Sequence, residues 1–134
     1  HRGKQELDEA NELFEVVARE ARNASGAEAR FLMGEICFGQ KKHADAIRHY
    51  QRVIFGFGGE RALDEVKQFQ HLSATEAGIC AEVLAGEAKT AADKQRYLKD
   101  AIGFYQHIVE NHPKSASAAN AGKRLEELNK GAGN

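Results

Sequence analysis

Apolar residues recur here at steps of three and four, the spacing that keeps side chains on one face of an α-helix. Between residues 4 and 22 they are Leu7, Ala10, Phe14, Val17 and Ala21, with Glu6, Asp8 and Glu9 in the first turns and Arg19 and Arg22 in the last. Acids near a helix start and bases near its end both complement the helix dipole. Asn23-Ala24-Ser25-Gly26 ends this first helix. A second is predicted over residues 27–38, carrying Phe31, Met33, Gly34, Ile36 and Cys37. A third, over 43–55, carries Ala46, Ile47, Tyr50, Val53 and Ile54 before Gly56-Phe57-Gly58-Gly59 breaks the period. Leu63, Val66, Phe69 and Leu72 lead on to Ala77, Cys80, Ala81 and Leu84, which predicts one long helix over 63–89, kinked near Ser73 or Gly78. Thr90-Ala91-Ala92-Asp93 reads as a turn with Asp93 as the cap of a helix over 94–111. After Pro113, Ser115 or Ser117 caps a last helix reaching residue 130, with Ala118, Ala121, Leu125 and Leu128 on one side; residues 131–134 fray. The fold class is all-α, with about six helices and no strand.

Two of these helices share a skeleton. Asp45–Gly58 and Asp100–Pro113 each place a small residue, an aromatic four later and a branched aliphatic three further on: Ala46/Tyr50/Val53 and Ala101/Tyr105/Ile108. Ala10/Phe14/Val17 is a fainter copy. A methyl lets a neighbouring helix approach closely, and the ring one turn away fills the gap beside it. The small–x3–aromatic spacing followed by Pro113 resembles the second helix of a tetratricopeptide repeat. Met33-Gly34 stands where that repeat has Leu-Gly, and Cys37 takes the place of its Tyr. In the next copy Ala81 is aligned with Gly34, while Ala101, Tyr105 and Pro113 match well. Ala10 and Ala46 lie 36 residues apart and Ala46 and Ala101 lie 55 apart, against a usual period of about 34. The roughly 20 surplus residues are assigned to 56–71 and to a longer turn near Thr90.

What the resemblance implies is a right-handed solenoid of stacked antiparallel helical hairpins. Its parts are a half repeat over 4–22, a repeat over 27–58, an irregular long repeat over 63–113 and a capping helix over 115–130. The closing stretch from His107 to Leu128 is similar to the ends of such domains in bacterial cell-envelope lipoproteins and assembly factors, so envelope or periplasm is the implied compartment, with cytoplasm as the alternative. Because the chain opens on His1 and on half a repeat, it is expected to be a piece of a longer array.

In these repeats the first helix of each pair lines a concave groove. Carried over, that register puts Glu28, Phe31, Leu32, Glu35 and Phe38 on the groove, followed by Thr75, Gly78, Ile79, Glu82 and Ala85, with Glu35 and Glu82 equivalent. The Lys, Arg and Asn clamp of the chaperone-binding members is absent from these positions. An apolar groove with acidic points implies an apolar or basic peptide, or another helix of the same protein. The alternative is that Phe31 and Phe38 pack between helices and the glutamates are solvated.

Composition and chemistry narrow this further. The 19 Lys and Arg balance 20 Asp and Glu to a net charge of −1, too even for a nucleic-acid binder. No apolar run approaches the roughly 18 residues of a membrane span. Cys37 and Cys80 read as buried thiols, or as a bridge between repeats, and two cysteines are too few for a zinc site. The six histidines include no i,i+4 pair, and His107 and His112 at i,i+5 are expected to point apart. No metalloprotease, nucleophile-elbow or phosphate-loop motif occurs. The glycines at 56, 58 and 59 follow a helix, where they close it and reverse the chain, with Phe55 and Phe57 packing under the long middle helix. The sequence therefore points to a non-enzymatic protein-interaction scaffold without metal or cofactor, able to self-associate through an exposed solenoid end. The competing reading is a helical accessory domain of a larger enzyme.

Overall fold

The computed structural model describes residues 2–20 and 24–132, with side chains described except at 2, 14–20, 60 and 132. Among the described residues there are six α-helices, one 3-10 turn and no strand. The helices are α1 (Arg2–Glu20), α2 (Ala24–Gly39), α3 (His43–Gly56), α4 (Asp64–Glu87), α5 (Ala91–Asn111) and α6 (Ala118–Ala132), and the 3-10 turn spans Gly59–Arg61. Each helix packs on the next in sequence, and α2 also reaches α4. Phe14, Val17, Arg19, Arg22 and Asn23, which carry the faint first copy and the end of its helix, lie outside the described side chains.

The caps explain most boundaries. Thr90, in extended conformation, accepts a hydrogen bond from the Asp93 backbone N–H at 3.1 Å, so α5 begins at Ala91. Thr90 rather than Asp93 is the cap, because a hydroxyl one residue before the helix reaches the third amide; Asp93 instead sits in the first turn, where the dipole favours it. Gly58 (φ 97°) turns the chain after α3 in a left-handed conformation that a side chain resists. Asp64 and Glu65 occupy the first turn of α4, which runs unbroken to Glu87.

Tyr50 and Tyr105 are the pillars of the interior. Both rings are buried, together with Ala46, Ala101, Cys37, Cys80 and Ile108. The two cysteines are free thiols, and burial raises both, Cys80 to about 12. Each tyrosine ring packs closely against a glycine on the preceding helix. A methyl on Gly34 would come within 2.5 Å of Tyr50 Cε1, and one on Gly78 within 2.6 Å of Tyr105 Cε1. Gly78, rather than the Ala81 expected from the alignment, thus stands to Tyr105 as Gly34 stands to Tyr50. Only a residue without Cβ lets the ring rest on helix backbone, and Ala81 is simply a buried methyl three positions further on.

This correction relocates the surplus residues. Gly34 precedes its ring by 16 positions and Gly78 by 27, so part of the excess lies inside the second hairpin, as extra turns of α4 and α5. The expected long turn near Thr90 is instead a short link over 88–90. A second, smaller core gathers Ala27, Val53, Phe57, Ala62 and Val66 under the start of α4. Phe57 belongs to it, but Phe55 is 65% exposed, because helix α3 continues through it and carries its ring outward.

Candidate functional site

An open concavity of about 610 Å³ lies between α4 and α6, with Tyr105 of α5 among the residues that line it. Helix α4 contributes Thr75, Ile79, Glu82 and Val83, spaced at three and four so that one stripe faces the groove. From the other side come Ser117, Asn120, Ala121 and Arg124, on α6 and the residue before it. Ile79 is 38% exposed, an aliphatic side chain left open at the groove wall.

One polar knot ties the three helices. Glu82 accepts a hydrogen bond from the Tyr105 hydroxyl at 2.7 Å and binds the Arg124 guanidinium through both carboxylate oxygens. Arg124 also contacts Glu127 one turn along α6. The carboxylates hold Arg124 more firmly protonated than usual, while burial and the bond to Glu82 keep Tyr105 a phenol. Glu82 is thus spent on structure, and its negative charge is cancelled within the groove wall.

Of the residues predicted to line the groove, Thr75, Ile79 and Glu82 meet there. The others divide. Phe31 is half-buried, its ring centroid 6.0 Å from Tyr50 and 5.9 Å from Phe69, so it bridges the two cores. Phe38 lies edge-on to His43 at 5.5 Å. Glu28 is exposed on α2. Glu35 accepts the Tyr50 hydroxyl at 2.6 Å and shares a hydrogen bond with Glu76, whose carboxyl is pushed up to about 7 by burial and by Glu35 beside it. Relative to their glycines the two glutamates are not equivalent: Glu35 follows Gly34 directly, whereas Glu82 lies one turn beyond Gly78. Both nevertheless reach a phenol, because each tyrosine hydroxyl projects past its glycine towards whichever acid the helix offers.

Sequence reasoning missed Arg124 and Asn120. Arg124 and Glu82 are 42 positions apart, and no local pattern marks such a pair. The expected divergence of His107 and His112 is also corrected. Their rings lie 5.5 Å apart, because His112 leaves helical geometry at the end of α5 and turns back. Among the described residues no three His, Cys, Asp or Glu side chains are arranged to hold a metal ion, and no helix is long and apolar enough to cross a membrane. Comparison with protein-family models, curated proteins and solved structures finds no match to this chain.

Proposed function

We propose that this protein is a non-enzymatic interaction scaffold, a tetratricopeptide-like solenoid that receives an extended peptide or a helix of a protein partner in the groove between α4 and α6. The observation that carries the reading is the groove itself: an aliphatic stripe, Ile79 and Val83, faces Asn120 and Ser117 across about 610 Å³. Apolar pockets with a few polar groups at their edges hold side chains by burial and fix a peptide backbone by hydrogen bonds. The contact of α2 with α4 across α3 supports the solenoid part, since stacked repeats bring successive first helices together.

The groove chemistry refines the partner. With Glu82 already neutralised by Arg124, the selective elements are the exposed Ile79 and the amide of Asn120. The peptide class is therefore apolar, with aliphatic or aromatic anchors, rather than basic. A displayed library of random peptides tests this directly. Enriched peptides should carry apolar anchors and lose at least tenfold in affinity for Ile79→Asp, which places a desolvated charge at the anchor point. They should bind Phe55→Ser, altered at an exposed ring on α3, unchanged. Peptides that bind Ile79→Asp as well as the unaltered protein, or no enrichment at all, would overturn the reading.

A further inference from the structure

Three imidazoles gather where α5 ends. His112 sits one position past the helix, its ring centroid 6.0 Å from that of His71 on α4 and 5.5 Å from that of His107 on α5. It is 8% exposed, and its Nε2 is buried without a hydrogen-bond partner. A neutral imidazole tolerates this, leaving that nitrogen as a bare acceptor. An imidazolium does not, since it places a charged N–H where nothing accepts it.

The surroundings sharpen the conflict. The groups acting on the ring are all bases: His107 from its own helix, with His71 and Lys67 from α4. Helix α3 brings Ile54 and Phe55 to the adjoining cavity of about 470 Å³, and the 3-10 turn brings Gly59, none of them charged. Glu110 is the one carboxylate among the described residues lining that cavity. Burial and the basic neighbours hold His112 down at about 4.

The same turn sets where α6 begins. The His112 carbonyl accepts hydrogen bonds from the Ser115 amide at 3.0 Å and the Ser115 hydroxyl at 2.7 Å. His71 Nδ1 is hydrogen-bonded to the Ser117 hydroxyl at 2.9 Å, one residue before α6. Beyond that point α6 is fastened by buried Ala121, half-buried Leu125 and Leu128, and the Arg124–Glu82 pair.

We propose that the His71–His112–His107 cluster is an acid-sensitive latch for α6: while His112 is neutral the rings pack and hold the turn, and its protonation drives the ring towards water and frees the helix. The inference goes beyond the peptide-binding reading and stands without it, since what is released is a wall of the fold whatever the groove receives.

Amide hydrogen exchange by NMR at pH 7 and pH 5 reads the latch without any ligand. If the freed imidazole titrates near its ordinary 6.5 and the latched one near 4, the freed population rises roughly twentyfold between the two pH values. Protection factors in α6 should fall by about that factor while those of α2 and α3 hold. His112→Phe keeps a ring without a titrating nitrogen, and His112→Gln is a smaller alternative should the phenyl not fit; in either variant α6 protection should be the same at both pH values. Unchanged α6 protection in the unaltered protein, an equal loss in every helix, or a loss that persists in these variants would overturn the proposal.

Discussion

Replacing Gly34 or Gly78 by alanine sets two known effects against each other. In a helix interior, alanine gains about 1 kcal/mol over glycine by restricting the unfolded chain and shielding the backbone. Against this, the new methyl at Gly34 meets Tyr50 Cε1 at 2.5 Å and Cδ1 at 2.8 Å, and at Gly78 it meets Tyr105 Cε1 and Cζ at 2.6 Å. Ordinary contact begins near 3.4 Å, so each ring must retreat by most of an ångström. Tyr50 is fully buried and Tyr105 is 3% exposed, and both hydroxyls are anchored to carboxylates, so the rings have nowhere to go. Overpacking of a dense core costs about 1–3 kcal/mol, and here the upper half of that range applies. The net expectation is a loss of about 1–2 kcal/mol at each site. Gly103 is the internal control. It lies within α5, and a methyl added there would meet nothing within 4 Å, so Gly103→Ala should gain about 0.5–1 kcal/mol. Urea denaturation followed by far-ultraviolet circular dichroism reads the midpoint at constant slope. Combining Gly34→Ala with Tyr50→Leu, which clears the space, should recover about 0.5–3 kcal/mol of coupling. If all three alanines stabilise alike, the rings do not rest on helix backbone and the register built on them is wrong.

Two proton balances of opposite sign should shape the pH dependence. His112 has a folded value of about 4, below the ordinary 6.5, so its contribution is present above pH 6.5 and lost as pH falls towards 4. Glu76, raised from 4.5 to about 7, contributes below pH 4.5 and loses that as pH rises through 7. Glu76→Gln should therefore stabilise the protein at pH 8 by about 1–2 kcal/mol, allowing for screening, and a destabilised variant would contradict the shared proton with Glu35. Tyr50→Phe removes the donor to Glu35 and should cost about 1 kcal/mol in a thermal melt. Tyr105→Phe should cost less, since Arg124 still holds Glu82; the reverse order would count against that arrangement. Arg124→Ala should loosen α6 by about 0.5–1 kcal/mol and raise amide exchange there before it does so in α4.

Most of the helices were readable because burial imposes its own spacing on residues that must share a face. The predicted span 43–55 became His43–Gly56, and 63–89 became Asp64–Glu87. Ala46 and Ala101, singled out by their spacing to a ring, are fully buried. What the spacing left ambiguous was the partner of each ring. Gly78 and Ala81 are both small and one turn apart, and matching one repeat to the next slides between them without penalty. The choice was made by Tyr105, which lies 27 positions away from Gly78 and whose ring occupies the space a methyl there would need. The groove was half readable for the same reason: Thr75, Ile79 and Glu82 follow from α4 alone, whereas Arg124 and Asn120 enter through the packing of α6.

Periodicity, turn residues and small–aromatic spacing were enough to establish an all-helical chain and to name Tyr50 and Tyr105 as its pillars. These are short-range consequences of how side chains emerge from a helix, so neighbouring residues record them. Which glycine receives a ring, which acid meets a phenol, and that three histidines converge at the turn into α6 were settled by long-range packing. Contacts between distant positions depend on how whole helices dock, and no local stretch of residues carries that information.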